Sequence, residues 1–239
     1  ISTWGVHINP ENSDYVATGT WSGSNVYVTS DWGTNWTTTT LTPSNYSVAI
    51  IDSMNVFAAQ SGGFYKLTSP YFVSAEFSLN AVIEGFYNGT VMIPDTVTVE
   101  LRNSSFPYSL VDQTKVFLNN LGEGTGFFNN AVNGTPYYIV LKHRNAIETW
   151  SASTQVFTGS TLAYDFTSAS NQSFGNNLKQ IGSKWCIYSG DVNQDGFVNT
   201  QDLNLIFTGN INGVTGYSST DVNGDMYTEI DDLTKTFYN

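Results

Sequence analysis

The sequence has one cysteine, two histidines and only eight basic residues against twenty acidic ones. A single cysteine, Cys186, excludes an intramolecular disulfide framework and a multi-cysteine metal cluster, and we expect it to be a buried small apolar group. The scarcity of Lys and Arg excludes the basic patch that nucleic-acid binding needs, and the net charge of -12 disfavours anionic membranes. No apolar run approaches the roughly twenty residues of a membrane span.

What the sequence contains is typical of an extracellular β protein. Only 12% of its residues are charged and 15% are aromatic, with abundant Thr, Ser, Asn, Gly and Tyr, which suits β-strands joined by polar turns. Its 239 residues suffice for one large or two to three small domains. The chain opens with Ile1 and has no charged-then-apolar leader, so we expect that a secretion signal has been removed or does not belong to this piece.

Two acidic stretches near the C-terminal end carry oxygen-bearing residues in the same order. Residues 191–202 begin Asp-Val-Asn-Gln-Asp-Gly-Phe, and residues 221–232 begin Asp-Val-Asn-Gly-Asp-Met-Tyr. Calcium takes about six to eight oxygen ligands, which a loop supplies from side chains at positions one, three, five and twelve and a carbonyl at seven. The pattern predicts two Ca²⁺ sites. Their side-chain ligands would be Asp191, Asn193, Asp195, Asp202, Asp221, Asn223, Asp225 and Asp232, and their main-chain ligands the carbonyls of Phe197 and Tyr227.

The repetition extends beyond the ligands. Leu203 and Phe207 follow the first loop as Leu233 and Phe237 follow the second, which places one apolar pair on the same face of each predicted exit helix. A solvated acidic surface, the alternative interpretation of such a charge run, does not need to repeat these apolar positions. Three carboxylates within one loop repel each other, so we expect calcium to act as a folding ligand.

The duplication resembles the dockerin family, whose two F-hand-like calcium repeats dock onto cohesin modules in bacterial extracellular assemblies. The resemblance covers about the last fifty residues and implies the same ten ligands. Met226 stands where Gly is expected, and a left-handed backbone costs such a residue about 1–2 kcal/mol, so the second site should be the weaker one. Dockerins read their partner largely just before the last ligand, often with a hydroxyl pair. Thr200-Gln201 and Ile230-Asp231 stand there in this chain, which counts against a cohesin-like partner.

A second signature lies in residues 29–36, which read Thr-Ser-Asp-Trp-Gly-Thr-Asn-Trp. It resembles an Asp-box, the hairpin turn of sialidase-like and sortilin-like β-propellers. Asp31 can bond to turn amides, Gly33 supplies a positive φ, and Trp36 is expected to pack beneath the turn as core. The strands predicted around it are Tyr15–Thr20, Asn25–Thr29, Ser47–Ile50 and Gly63–Leu67.

These strands of residues 1–75 amount to one propeller blade and part of another, whereas a propeller needs at least about four blades to close. We therefore expect a partial propeller-like β-meander. Its open edges would favour pairing with another copy of the chain.

Residues 76–170 alternate strands with hairpin signals and predict an antiparallel β-sandwich. The predicted strands are Phe77–Ile83, Thr96–Leu101, Lys115–Leu118, Gly126–Asn129, Tyr137–Lys142 and Glu148–Ser151, with turns at 88–89, 122–124 and 133–134. The order resembles transthyretin-like or carboxypeptidase-regulatory-like domains. Residues 171–188 predict a connector that ends in aromatics and fastens the dockerin-like module of residues 189–239, with its small α/loop fold, as a structural clamp.

Nothing in the sequence predicts a catalytic centre. His7 and His143 are expected to be strand-face residues, and no zinc-peptidase, nucleophile-elbow or phosphate-loop motif is present. Sialidase chemistry requires three arginines, and this chain has Arg102 and Arg144 alone. A glycosidase needs two facing carboxylates, for which the candidates are Glu84, Glu100, Glu148, Asp95 and Asp112, but we expect these acids to be solvated surface.

The leading hypothesis is therefore a mainly β, non-catalytic, calcium-stabilised structural protein, secreted or on the surface of a prokaryotic cell, that self-associates into a fibre or layer. The first alternative is the accessory, anchoring end of a large secreted glycan-degrading enzyme. The second is a carbohydrate-binding adhesin module, because tryptophans such as Trp21, Trp32 and Trp36 suit sugar stacking.

Overall fold

The computed structural model describes residues 3–9, 15–20, 25–29, 33, 36–40, 45–52, 55–60, 62–66 and 74–239. Within these ranges the chain is mostly β, with several sheets and two α-helices. It divides into two compact units, residues 1–74 and 75–239. Neither α-helix of the described ranges is long and apolar enough to cross a bilayer.

The first unit contains two open antiparallel sheets, with strand orders β1-β2-β3-β4 and β5-β6-β7. No closed sheet, and so no propeller, occurs among its described residues. The apolar side chains of alternate strand positions, such as Val26, Val28, Ile50 and Ala58, form one buried core. The strands are β1 Thr3–Ile8, β2 Val16–Thr20, β3 Asn25–Thr29, β4 Thr37–Thr40, β5 Asn45–Asp52, β6 Asn55–Gln60 and β7 Gly63–Lys66.

Three of these strands, β1, β4 and β6, are absent from the prediction. The sequence of β4 is four threonines, which carry no apolar alternation to mark a strand. β1 contains Gly5 and a bulge between Trp4 and Val6, which interrupts its period. Tertiary pairing therefore decides these segments, and the local pattern does not.

The turn that resembles an Asp-box is described in part. Gly33 has the predicted positive φ, at +90°, and the Nε1–H of Trp36 donates to its carbonyl at 2.9 Å. The prediction that Trp36 is a core residue was wrong, because its side chain is 44% exposed and this hydrogen bond holds the indole on the turn. Asp31 lies outside the described residues, as do Trp21 and Trp32.

The second unit is built on a β-sandwich. One sheet has the order β10-β9-β12-β13, with β14 also paired to β12, and the other has the order β11-β8-β15. The strands are β8 Ala75–Asn80, β9 Asp95–Asn103, β10 Leu110–Leu118, β11 Glu123–Phe128, β12 Pro136–His143, β13 Ala146–Trp150, β14 Gln155–Val156, β15 Thr161–Asp165, β16 Lys179–Ile181 and β17 Lys184–Cys186.

A single apolar core lies between the two sheets. It contains the inward-facing residues of β9, namely Val97, Val99 and Leu101, and aromatic residues from the opposite sheet, such as Phe77 and Phe128, whose ring centroids are 5.8 Å apart. The six predicted strands of this region all occur, with shifted ends. The outcome fits the period-two alternation of apolar residues on which the prediction rests.

Two expectations about this unit need correction. The sandwich is not purely antiparallel, because β15 pairs with β8 in parallel. No hairpin joins these strands, so no turn motif in the sequence indicates the pairing. The segment expected to be a connector also contributes to the core through Leu178, Cys186 and Ile187, since β16 and β17 form a hairpin there. Cys186 is buried as expected, and burial, the largest effect, raises the pKa of its thiol to about 12.

Each of the two acidic stretches is followed by a helix, α1 Thr200–Ile211 and α2 Ile230–Phe237. Both helices begin with a capping box, in which the carboxylate three residues into the helix accepts the N–H of the capping residue. Those carboxylates belong to Asp202 and Asp232. The last predicted ligand of each loop therefore also caps the N-terminus of the helix that follows.

Candidate functional site: two acidic loops on the β-sandwich

The structure closes both acidic stretches into loops with the same hydrogen bonds. In the first loop, Asp191 accepts the N–H groups of Asp195 and Gly196, and Asp202 accepts that of Val192 at 2.9 Å. The Oδ1 of Asn193 accepts the N–H of Asp195, also at 2.9 Å. The third carboxylate, that of Asp195, accepts the N–H of the seventh residue.

The second loop repeats this network with its own residues. Asp221 accepts the N–H groups of Asp225 and Met226, and Asp232 accepts that of Val222 at 2.7 Å. Asn223 again accepts from the fifth loop residue, and Asp225 from Tyr227. The side chains predicted as ligands therefore bond to main-chain N–H groups of their own loop, separately for the two loops.

Backbone conformation at the sixth loop position is left-handed in both repeats. Gly196 has φ +87° and Met226 has φ +71°, as the loop pattern requires. This conformation is sterically unfavourable for methionine, which has a Cβ, and not for glycine, which has none. Gln194, at position four, also has a positive φ, of +60°, which the sequence analysis did not predict.

Four of the predicted side-chain ligands, Asp191, Asp202, Asp221 and Asp232, are fully buried. Burial raises the pKa of Asp191, Asp221 and Asp232, that of Asp232 to about 6. Hydrogen bonds from main-chain N–H groups lower these pKa values but do not cancel the effect of burial. A buried carboxylate whose charge is disfavoured gains most from a cation nearby.

The donor set fits calcium in its chemistry. Each loop presents three carboxylates, one amide oxygen and a main-chain carbonyl, all of them the hard oxygen ligands that calcium prefers. Among the described residues, no three His, Cys, Asp or Glu side chains converge as a metal centre made only of those residue types would. The aspartate oxygens bond to loop N–H groups, so the metal itself stays a prediction.

The turn between β12 and β13 contacts both loops. Arg144 donates from Nη2 to Asp221 at 3.3 Å, and the Nδ2 of Asn145 donates to the carbonyl of Asp221 at 2.6 Å. The carbonyl of Asn145 accepts the N–H of Gly190, which precedes the first loop, at 2.7 Å. This turn therefore holds the entry of one repeat and the first predicted ligand of the other.

Arg144 is the centre of this contact. Its guanidinium also pairs with Asp95, donates from Nε to the carbonyl of Ser218 at 2.8 Å and lies 4.0 Å from the ring centroid of Tyr217. Burial alone would raise the pKa of Asp95, but hydrogen bonds from His143 and Thr96 and the charges of His143 and Arg144 lower it to about 2. No local pattern in the sequence marks Arg144 for this role.

Two glycines allow the sandwich and the second loop to approach closely. A Cβ on Gly85 would collide with the carbonyl of Val222, and one on Gly224 would collide with the ring of Phe86. Gly85 belongs to a short 3-10 helix, Glu84–Phe86, that follows β8. A side chain at Gly85 would force the two backbones apart, and one at Gly224 would displace the ring of Phe86.

A buried carboxylate also ties the end of the chain to the sandwich. Glu84 accepts from Lys179 Nζ and from Ser189 Oγ, each at 3.0 Å, and from the side chain of Asn239. The terminal residue in turn donates to the carbonyl of Ser189 at 2.9 Å. The helix α2 is thereby fixed at its far end.

The acids weighed as glycosidase candidates have other partners. Asp95, Glu84 and Glu100 are buried, so the expectation that they are solvated was wrong, and each is paired with a cation. Asp112 accepts N–H groups of the loop after β11, and Glu148 pairs with Lys142. His143 lies buried against Asp95, whereas the Nδ1 of His7 accepts a main-chain N–H from β5.

An apolar surface remains open beside the loops. Leu203, Phe207, Leu233 and Phe237, the pairs predicted from the repeat, line one groove between α1 and α2. Phe207 is 52% and Phe237 69% exposed. The repeat therefore produces a doubled apolar face in addition to the doubled acidic loop.

No protein-family model matches the chain, and no curated protein matches it. Among solved structures, it is similar to chains from two type II cohesin–X-dockerin complexes of Acetivibrio cellulolyticus, a C-terminal and an N-terminal interface mutant. The identities are 13% and 14% and the TM-scores 0.42 and 0.39, over 69% of this chain and 94% of each of those chains. Likeness at this level assigns neither a family nor a function.

Proposed function

We propose that residues 75–239 form a non-catalytic, calcium-stabilised structural module of a secreted or cell-surface prokaryotic protein. The observation that carries this is the burial of Asp191, Asp202, Asp221 and Asp232 in two loops of the same hydrogen-bond pattern. Burying carboxylates in pairs is unfavourable unless a cation or several donors compensate them. When bound, calcium would supply that compensation, and the sandwich would then hold the loops as a clamp.

The test is calcium-dependent stability of the full chain. A ligand bound only by the native state at about 100 times its dissociation constant adds about 2.7 kcal/mol per site, and for a unit of this size each kcal/mol raises Tm by roughly 2–4 °C. We expect EGTA to lower the Tm of residues 75–239 by at least about 5 °C and calorimetry to count two bound ions. The double variant Asp191→Asn, Asp221→Asn should lose the effect. A Tm that EGTA leaves unchanged would falsify the proposal.

A second candidate function is partner docking through the groove between α1 and α2. The observation that favours it is the exposure of Phe207 and Phe237 at equivalent places of the two repeats. From the dockerin resemblance, the occupant would be the sheet face of a cohesin-like module. Calorimetric titration with purified cohesins should give heat that Phe207→Ala reduces and Leu110→Ala, an exposed control in β10, leaves intact. No heat with any cohesin refutes this candidate.

Self-association is a further part of the proposal and concerns the first unit. Its β7 lies at the edge of the sheet β5-β6-β7 and carries Phe64, which is 82% exposed. Unpaired edges with exposed aromatics favour pairing with another chain. Sedimentation velocity should show concentration-dependent oligomers that Phe64→Lys disperses; a monomer at every concentration contradicts this.

The alternative function is the accessory, anchoring end of a large secreted glycan-degrading enzyme. Further domains upstream in the gene, including a catalytic one, would support that alternative.

A further inference from the structure

Four aromatic side chains form a cleft at one end of the outer face of the five-stranded sheet. Tyr108, Tyr138, Trp150 and Phe174 line a cavity of about 290 Å³. Tyr138 and Trp150 come from β12 and β13, Tyr108 from the turn before β10, and Phe174 from a 3-10 helix that follows a bridge between Ser151 and Ser173. None of these residues takes part in the calcium clamp.

The ring geometry shows what shape of ligand fits. Tyr108, Tyr138 and Trp150 contact one another, with centroids 5.8–6.0 Å apart, and so form one continuous wall. Rings this close leave no room among them for an ammonium group, so the cleft is not an aromatic cage for a cation. The space lies between this wall and Phe174, whose side chain is 69% exposed, and suits a flat ring.

Tyr108 is held in this wall by a strained backbone. Its φ is +54°, a left-handed conformation that costs a residue with a side chain about 1–2 kcal/mol. Strain of this kind persists where the surroundings impose it and collects at functional sites. The exposed Phe106 continues the same surface, because its ring meets that of Tyr108 edge-on at 6.2 Å.

A row of paired charges borders the cleft. Arg102 stacks over Trp150 at 5.7 Å and pairs with Glu100, and the Nε1–H of Trp150 donates to Glu148 at 2.6 Å. Lys142 joins the two glutamates at 3.2 and 3.1 Å. The two positive and two negative groups cancel, so they leave adjacent donors and acceptors without a net charge. Such a border suits hydroxyl groups, which both donate and accept, better than a charged ligand.

We propose that this cleft binds one pyranose ring of an uncharged oligosaccharide. The apolar C–H face of the sugar would stack between Phe174 and the aromatic wall, as small ligands do in pockets that are mainly apolar with a few placed polar groups. The hydroxyls at the ring edge would bond to Glu148 and Arg102. All four cleft residues belong to the second unit, and the proposal does not rest on the calcium clamp.

The test is calorimetric titration of the full chain with neutral hexasaccharides of β-1,4-linked glucose, xylose, mannose and N-acetylglucosamine, and with the charged galacturonate hexamer. At least one neutral sugar should bind, and Phe174→Ala, a change of an exposed side chain, should weaken it by about tenfold. The matched control is Phe117→Ala, 62% exposed in β10 of the same sheet, which should leave the affinity unchanged.

Binding should persist in EGTA, which separates this proposal from the calcium clamp. The proposal is overturned if none of the neutral hexamers binds, if only the galacturonate binds, or if Phe117→Ala weakens binding as much as Phe174→Ala. Trp150→Phe serves as a second variant, since it keeps a ring but removes the N–H bonded to Glu148. It should reduce the affinity less than Phe174→Ala does.

Discussion

Replacing Arg144 by methionine should destabilise the second unit strongly without calcium and less strongly with it. The arginine side chain is 12% exposed and pairs with two buried carboxylates, those of Asp95 and Asp221. Removing one partner of such a buried pair costs about 3–5 kcal/mol. In the variant with calcium bound, the ion compensates the charge of Asp221, and the guanidinium that would repel the ion is gone. Unit charges about 4 Å apart interact by about 4 kcal/mol at an effective dielectric constant of about 20.

We therefore expect the cost of Arg144→Met to fall by at least about 1.4 kcal/mol, a tenfold change in the unfolding constant, between EGTA and saturating calcium. The assay is urea unfolding of the full chain followed by hydrogen-exchange mass spectrometry, which reports peptides of residues 75–239 separately. Arg102→Met is the matched control. Arg102 also pairs with a buried glutamate and stacks on an aromatic ring, but it contacts neither loop.

The control variant should lose the same stability in both conditions. An Arg144→Met protein that is unfolded in EGTA and refolds when calcium is added is an extreme form of the expected result. The reasoning is refuted if the cost of Arg144→Met is equal in EGTA and calcium, or larger in calcium. In that case the arginine does not act as a substitute charge at Asp221.

Three further outcomes are expected. Met226→Gly should raise the calcium affinity of the second site by up to about tenfold, and Gly196→Ala should lower the affinity of the first site. The reason is that only the left-handed backbone penalty of about 1–2 kcal/mol changes. Calorimetric titration measures both affinities, and changes of the opposite sign would contradict this reason. Asp95→Asn should cost about 2 kcal/mol near neutral pH, since the pKa of Asp95 falls from 3.8 to about 2 on folding. That carboxylate stabilises the fold above about pH 4, so the deficit in urea midpoint should shrink to nothing as pH falls to about 2; a deficit constant with pH would show that the charge is irrelevant. Lys179→Met should speed amide exchange in α2, because Glu84 then loses a cation; unchanged exchange would mean that this contact does not hold the helix.

The loops could be predicted because their information is local. The order of oxygen-bearing residues and the repeated Leu and Phe lie within residues 191–207 of the first repeat and 221–237 of the second, which also contains the left-handed Met226. The same holds for the alternating strands of the sandwich, such as β9. Here the period of the sequence and the geometry of the element agree, and the structure follows the pattern.

The contacts that make the site specific could not be predicted in this way. Arg144 and Asp221 are 77 residues apart, and an Arg-Asn turn between two strands has no pattern that indicates its partner. The parallel pairing of β15 with β8 depends equally on distant residues. The burial of Asp95 and Glu100 could not be predicted either, because a single charged residue in a strand has the same sequence signal whether it is solvated or paired.

The contacts between the sandwich and the two loops favour the proposed fixed clamp over a docking module on a flexible linker. Both repeats have the same internal hydrogen bonds, yet their first ligands differ in what the sandwich provides, since Asp221 contacts Arg144 and Asn145 whereas Asp191 bonds to its own loop. Two similar sequence motifs therefore experience two different electrostatic environments. On the proposed calcium clamp, the guanidinium of Arg144 beside Asp221 would make the second loop less dependent on the ion than the first loop. The sandwich contacts the loops and leaves Phe207 and Phe237 exposed, so the proposed clamp and the proposed docking groove use different residues of the same repeat.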